Sequence, residues 1–71
     1  MQINLKTLRT RNKLTLLQVA RELGCTKQAV WKYEKGERRV PLETAPVLAK
    51  LYGVTTDELI GAAKASGRHA S

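Results

Sequence analysis

Several residue types are scarce in this chain, and each scarcity excludes a class of protein. The single cysteine, Cys25, excludes an internal disulfide. Together with the single histidine, His69, it cannot supply the four ligands of a structural zinc site. No apolar run approaches the ~18 residues that cross a membrane, and Met1 leads into polar residues rather than into the apolar stretch of a signal peptide. We therefore expect no cofactor, no membrane partner and a cytoplasmic location.

Aromatic and catalytic side chains are also few. Phenylalanine is absent, and the aromatic residues are Trp31, Tyr33 and Tyr52 alone. Proteins that coat nucleic acid without sequence preference favour aromatic stacking platforms, so this shortage argues against such coating. His69 has no carboxylate neighbour in the sequence, Cys25 is expected to be a small core residue, and no glycine-rich phosphate loop is present. We expect no enzymatic activity.

The third scarcity is of negative charge. The 71 residues include 13 Lys and Arg but only 6 Asp and Glu, a net charge of +7. Residues 1–39 carry the whole excess, because the basic and acidic residues of 40–71 balance. A charge of this size attracts polyanions over about a Debye length, ~10 Å. Nucleic acid is the natural partner; an anionic membrane surface and a solvated basic face without a specific partner are the alternatives.

Apolar spacing and turn residues predict a small all-α domain over residues 1–61 and no strand. The small and polar residues 62–71 are expected to form a short flexible tail. The five helices are predicted at residues 3–12, 16–23, 27–35, 42–52 and 55–61. In the last two helices, the residues expected to face the core are Val47, Leu48, Leu51, Leu59 and Ile60.

The second and third predicted helices form a recognisable unit. Only three residues separate 16–23 from 27–35, so the two helices cross at a steep angle, as in a helix-turn-helix. Gly24 lies in the turn, where a left-handed backbone is needed. Ala20 lies where the helices approach each other, and a larger side chain there would separate them. The joint spacing indicates a helix-turn-helix.

The segments 15–30 and 33–36 resemble the phage repressor and Cro class of helix-turn-helix proteins, the XRE class. The resemblance covers about residues 4–60, and its further matches are Leu42–Thr44, Leu48–Leu51, Gly53–Val54 and Asp57–Leu59. It implies a five-helix repressor-like domain that binds a specific sequence of double-stranded DNA and regulates transcription for a phage or mobile element. It also implies a homodimer on an inverted-repeat operator, with the dimer contact around residues 54–60.

In this class the second helix of the motif enters the major groove. With Val30 and Tyr33 turned toward the core, four side chains remain outward as the predicted base-reading set: Lys27, Gln28, Trp31 and Lys32. Gln28 can bind adenine through two hydrogen bonds, and a lysine can donate to guanine. Phosphate contact by the two lysines, and a merely solvated Gln28, are the alternatives. Trp31 either contacts a thymine methyl or the groove wall, or packs on Lys27 or the following loop.

Contacts to DNA phosphates are expected at the N-terminus of the third helix and from nearby basic side chains. The predicted phosphate-binding residues are Thr26, Arg38, Arg39, Lys13 and Arg11. The resemblance also implies a structural ion pair between Arg9 and Glu34.

One departure from the class concerns Leu16, which stands where a phosphate-binding glutamine is frequent. Leu16 and its neighbour Leu17 therefore either pack on the first helix or contact another chain. The alternative function is that of an antitoxin or another protein-interaction module that uses its helix-turn-helix for autoregulation. The tail of about ten residues lacks an apolar anchor pattern for a toxin, which argues against this alternative.

Overall fold

A computed structural model describes residues 3–68, of which 67 and 68 are described by their backbone alone. Within this range the chain forms five helices and no strand, which confirms the all-α helix-turn-helix prediction. The helices are α1 (Leu5–Arg11), α2 (Leu16–Leu23), α3 (Lys27–Lys35), α4 (Ala45–Tyr52) and α5 (Thr56–Arg68). The bounds of α2 and α3 agree with the prediction, whereas α1 is shorter at both ends.

Threonine and glycine residues at the helix ends decide where α2 and α3 begin and end. The Thr15 hydroxyl accepts a hydrogen bond from the Gln18 backbone N–H, and the Gln18 side chain accepts one from the Thr15 N–H. The Thr26 hydroxyl accepts a hydrogen bond from the Ala29 backbone N–H at the start of α3. Gly24 and Gly36 close α2 and α3 with φ angles of 69° and 76°. Glycine adopts this left-handed backbone without steric cost, so both helices stop there.

The core joins α5 to the other helices. Leu59 of α5 and Val19 of α2 are 0% exposed, and Leu5 of α1 is 2% exposed. Helix α5 packs on α1, α3 and α4, while α2 packs chiefly on α3. The helix-turn-helix is therefore attached to the domain through α3, which leaves the remaining face of α3 to solvent.

Helix α4 begins three residues later than predicted, after a turn at residues 42–44. Pro46 lies in its first turn, where the absent N–H has no carbonyl partner to lose. The prediction that Val47 is buried was wrong, because this side chain is 47% exposed. The buried face consists instead of Ala45, Leu48, Ala49 and Tyr52. These four follow the i, i+3, i+4, i+7 spacing of one helical face, and Val47 lies off it.

Helix α5 continues beyond its predicted end at residue 61, so the flexible tail was wrongly predicted for residues 62–68. Ala62 and Ser66 are 4% and 2% exposed. The Ser66 hydroxyl accepts a hydrogen bond of 2.9 Å from the backbone N–H of Leu5 and donates one of 2.9 Å to the Ala62 carbonyl. The end of α5 thereby satisfies a buried N–H at the start of α1. Residues 69–71 of the predicted tail lie outside the described residues.

Burial of Tyr52 makes the stability of the domain sensitive to alkaline pH. Burial raises the pKa of this phenol well above its ordinary value of 10, and the Glu34 carboxylate raises it further, although Arg9 opposes the shift. Above pH 10 an unfolded tyrosine loses a proton that folded Tyr52 keeps, so unfolding releases that proton.

We therefore expect the free energy of unfolding to be unaffected by this group below pH 10 and to fall above it, by up to about 1.4 kcal/mol per pH unit. Urea unfolding between pH 8 and pH 11 measures the fall. Tyr52→Phe should show a shallower dependence, since its side chain does not ionise. Equal slopes for the two proteins would refute this origin of the alkaline instability.

Candidate nucleic-acid interface

The helix-turn-helix is held together by small and apolar side chains. Val19 and Ala20 of α2 are 0% and 1% exposed, and Val30 of α3 is 2% exposed. Ala20, whose small side chain is predicted to let α2 approach α3, is among these buried residues. Ala29 and Tyr33 are also buried, so one face of α3 is fully engaged with the domain.

The opposite face of α3 carries the predicted base-reading residues, and all four are exposed: Lys27, Gln28, Trp31 and Lys32. Side chains four residues apart on a helix lie side by side, so they form one patch. Lysine ammonium groups and the glutamine amide offer hydrogen bonds of the kind that base edges in the major groove accept. This patch is polar except at Trp31, which is 43% exposed.

One face of the Trp31 ring is covered by Lys35, which was not among its predicted contacts. The Lys35 ammonium lies 5.0 Å from the ring centroid, a cation–π contact worth roughly 0.5–1 kcal/mol at an exposed site. Lys27 and the following loop were the packing partners expected for Trp31, and the residue that lies over its ring is Lys35. The i, i+4 spacing of an exposed tryptophan and a lysine was the signal that could have indicated this contact.

The predicted phosphate-binding residues surround this patch in the sequence and are all exposed: Thr26, Arg38, Arg39, Lys13 and Arg11. Thr26 begins α3, and its hydroxyl accepts the capping bond while its own proton stays available as a donor. Arg38 and Arg39 lie in the loop that follows α3. The N–H groups of Lys27 and Gln28, at the start of α3, have no carbonyl partner within the helix and add further donors for an anion, whereas that of Ala29 is used by the cap.

The expected ion pair between Arg9 and Glu34 is present and largely buried. The Arg9 Nε lies 2.6 Å from Glu34 Oε2, and a second bond of 3.3 Å joins Nη2 to Oε1. The remaining Nη1 donates to the Leu14 carbonyl at 2.9 Å. Side-chain exposures of 12% and 7% keep the pair largely from water. The pair ties the end of α3 to α1 and so helps to fix the orientation of α3 in the domain.

Among the side chains that the structure describes, ion pairing is confined to Arg9 and Glu34. The exposed basic residues around α3 thus carry positive charge with no carboxylate at ion-pair distance. Such charge is available to phosphate groups and produces an attractive potential toward a polyanion. The same part of the chain holds no group of three His, Cys, Asp or Glu side chains suited to a metal ion.

The two leucines at the start of α2 differ in environment. Leu16 is partly buried and packs against the core, whereas Leu17 is 48% exposed. Packing therefore accounts for Leu16, the residue that departs from the class, but leaves Leu17 at the surface. Cys25 is also partly buried against the core, as expected for a small core residue. None of the described helices has the length and apolar character required to span a membrane.

Lys13 has an unusual backbone that was not predicted from the sequence. Its φ angle is +56°, and no other residue described apart from glycine has a positive φ. The Lys13 N–H bonds to the Thr10 carbonyl and the Leu14 N–H bonds to the Arg9 carbonyl. The same pair of bonds closes α2 and α3, where the left-handed residue is a glycine. Lys13 thus occupies a glycine position at the end of α1.

Lys13→Gly is expected to stabilise the domain by about 0.5–1 kcal/mol. The left-handed backbone costs an L residue about 1–2 kcal/mol, and the extra freedom of glycine in the unfolded chain offsets about 0.4–1 kcal/mol of the gain. Thermal unfolding should show the midpoint raised by a few degrees.

The matched control is Arg11→Gly, two residues earlier at the last residue of α1, where the backbone is not left-handed and glycine should destabilise the domain by up to about 1 kcal/mol. A Lys13→Gly protein less stable than the parent would argue against backbone strain at this position. A gain in stability accompanied by weaker DNA binding would explain why lysine stands here.

The chain matches a known protein family over most of its length. A family model described as a helix-turn-helix domain matches residues 3–60, which include α1 to α4 and the start of α5. The chain belongs to the helix-turn-helix domain family. The match confirms the resemblance predicted from the residues of α2 and α3, and it extends over Arg9, Glu34 and the loop that follows α3.

Three curated relatives carry names of the same kind. The chain is 37% identical over 57 residues to the uncharacterized HTH-type transcriptional regulator YobD of Bacillus subtilis (strain 168), and 40% identical over 60 residues to the HTH-type transcriptional regulator AnsR of the same strain. It is 39% identical over 56 residues to the cryptic phage CTXphi transcriptional repressor RstR of Vibrio cholerae. These alignments cover 80%, 84% and 79% of this chain but only 51%, 52% and 50% of the relatives, so the chain spans about half their length. No solved structure matches the chain.

Proposed function

We propose that this chain is a transcriptional regulator, of the repressor and Cro type, that recognises a specific sequence of double-stranded DNA by inserting α3 into the major groove. One observation carries the proposal: the outward face of α3 presents Lys27, Gln28, Trp31 and Lys32 together, on a helix whose other face is buried. A rigid helix with hydrogen-bonding side chains on its free face is what reading of base edges requires.

The basic residues around α3 support a division between side chains that contact bases and side chains that contact phosphates. We propose base contacts for Lys27 and Gln28, at the N-terminal end of α3, and for Lys32, further along the same face. The proposed phosphate contacts are Thr26, Arg38, Arg39, Lys13 and Arg11. Phosphate contacts hold the protein on DNA of any sequence, whereas the α3 side chains select among sequences.

A homodimer on an inverted repeat is part of the proposal, since two copies related by a two-fold axis read two half-sites. Such a regulator works in the compartment that holds DNA, in agreement with the cytoplasmic location predicted from the sequence. The name of the Vibrio cholerae relative, a cryptic phage repressor, favours a phage or mobile-element origin. The antitoxin alternative requires a segment free to hold a toxin, and residues 62–68 are part of α5.

Selection of bound duplexes from a random DNA pool tests this function. The expected product is an enriched inverted repeat with half-site centres about 34 Å apart, one turn of the duplex. Mobility-shift titrations then compare the selected duplex with a scrambled duplex of the same composition. A pool that yields no enriched sequence, with equal affinity for both duplexes, would reject sequence-specific recognition.

A further inference from the structure

Trp31 is the apolar member of the outward face of α3, where its neighbours are two lysines and a glutamine. The residue is 43% exposed, and this fraction stays open although the Lys35 ammonium lies 5.0 Å from the ring centroid. A tryptophan side chain gains most from burial, because its apolar surface is larger than that of other residues. Packing within the domain therefore does not account for this ring, which lies on the surface proposed to face DNA.

The major groove of DNA offers an apolar side chain one kind of partner among the base edges. These edges present hydrogen-bond donors and acceptors, and the exception is the C5-methyl group of thymine. A donor or acceptor that an indole ring covers loses its water without gaining a partner, which is unfavourable. Base faces are stacked on one another inside a duplex, so a side chain on a helix in the groove meets edges alone. An apolar ring on this face of α3 therefore fits a base pair whose methyl group meets it.

We propose that Trp31 reads thymine through its C5-methyl group, and that Lys35 is the positioning residue that holds the indole ring for this contact. The inference rests on the proposed function, since it needs α3 in the major groove, and it names the base that the apolar part of the face selects. Trp31 lies three residues after Gln28, about 4.5 Å along the helix axis. Because base pairs are stacked about 3.4 Å apart, we expect the thymine within about two base pairs of the one that Gln28 reads.

Lys35 suits the positioning role because of its place on the helix. Long side chains on a helix lean toward its N-terminus, so Lys35 leans over Trp31, which lies one turn earlier. Its ammonium is attracted to the face of the ring, and no carboxylate of the described residues forms an ion pair with it. The contact restricts rotation of the ring before DNA binds. Less side-chain freedom is then lost when the ring meets the methyl group.

Replacement of thymine by deoxyuridine tests the contact, because it removes the methyl group and leaves every hydrogen-bonding group of the base in place. Each thymine of the selected duplex is replaced in turn, at the equivalent position of both half-sites, and mobility shifts measure affinity at one salt concentration. Replacement at one position should lower affinity by about fourfold for each half-site, the factor expected from burial of one methyl group. Trp31→Ala should bind the thymine and deoxyuridine duplexes equally. Trp31→Phe keeps an aromatic ring and should retain most of the preference.

The role of Lys35 is measured by the ratio of the thymine and deoxyuridine affinities, in which a general loss of positive charge cancels. Lys35→Met removes the charge and should reduce the fourfold ratio to about twofold or less. Lys35→Arg keeps a cation over the ring and should restore the ratio. Lys50→Met removes the same charge from an exposed site on α4 and should leave the ratio unchanged. The substituted residues are all exposed, so the variants should fold, as checked by circular dichroism.

Fluorescence gives a second measurement of the same ring. Trp31 is the only tryptophan of the chain, so its emission reports the surroundings of this side chain directly. Saturation of the parent protein with the selected duplex should shift the emission to shorter wavelength, because the ring leaves water. An emission spectrum that the duplex does not change would place the ring outside the interface and overturn the inference.

Three results of the binding measurements would also overturn it. Affinity that no deoxyuridine replacement lowers would remove methyl reading and leave sequence recognition by Gln28 intact. Equal losses for Trp31→Phe and Trp31→Ala would assign the contact to the indole N–H rather than to the ring. An unchanged ratio in Lys35→Met, with affinity lowered for every duplex, would make Lys35 a phosphate contact and remove its positioning role. Failure of the DNA selection itself is a different outcome, since it rejects the proposed function and this inference together.

Discussion

Loss of either partner of the Arg9–Glu34 pair is expected to destabilise the domain by about 3–5 kcal/mol, because a charge is left without its partner in a largely dry site. Each side chain is nearly buried, and three hydrogen bonds leave the Arg9 guanidinium. A domain of this size has a total stability of roughly 4–10 kcal/mol. Glu34→Gln and Arg9→Met should therefore unfold at far lower urea concentration than the parent, or be largely unfolded without urea.

The double variant Arg9→Met with Glu34→Leu keeps this prediction measurable even if the single variants do not fold. It removes both charges at once and should recover most of the lost stability, since no uncompensated charge remains. Recovery should be incomplete by about 1 kcal/mol, because the Leu14 carbonyl loses its donor. Arg11→Met, exposed on the same helix, should change stability by less than about 0.5 kcal/mol. Single variants as stable as Arg11→Met would show that the pair contributes little.

The helix-turn-helix could be predicted from the sequence because its limits depend on neighbouring residues. The hydroxyls of Thr15 and Thr26 accept hydrogen bonds from the backbone N–H groups three residues ahead. Gly24 ends α2 by adopting a left-handed backbone directly after the last helical residue. Interactions this local are visible in a sequence. The inward positions Val30 and Tyr33, three residues apart, then fix which face of α3 is free. The exposed patch follows from those two facts.

The errors of prediction arose where distant residues decide the structure. Gly61 suggested the end of α5, since glycine inside a helix costs about 1 kcal/mol relative to alanine. The hydrogen bond from the Leu5 N–H to Ser66 spans 61 residues, and burial of Ala62 adds to it. Tertiary packing therefore outweighs local preference there. Lys13 was missed for a different reason, because no glycine marks its left-handed backbone.

Gln28→Ala is expected to reduce affinity for the selected duplex by about 1–3 kcal/mol, a factor of roughly 5–150, and to leave affinity for scrambled DNA nearly unchanged. The amide of an exposed glutamine on the free face of α3 can form two hydrogen bonds to one base, and alanine forms none. Mobility shifts on both duplexes at one fixed salt concentration measure the ratio. A second selection with the variant should show relaxed preference at one base pair of each half-site. Equal losses on both duplexes would instead assign Gln28 to the DNA backbone.

Arg39→Ala is expected to show the opposite result to Gln28→Ala, an equal loss of affinity for both duplexes, which separates base reading from contact with the DNA backbone. An arginine bound to phosphate attracts every sequence, so its loss should weaken both duplexes by a similar factor and reduce the slope of log affinity against log salt by about 1 per protomer. Lys50→Ala removes the same charge from an exposed site on α4, outside the predicted interface. It should change affinity far less, because a distant charge is largely screened beyond ~10 Å. If Lys50→Ala matches Arg39→Ala in both affinity and slope, the effect comes from net charge, and the loop after α3 makes no phosphate contact of its own.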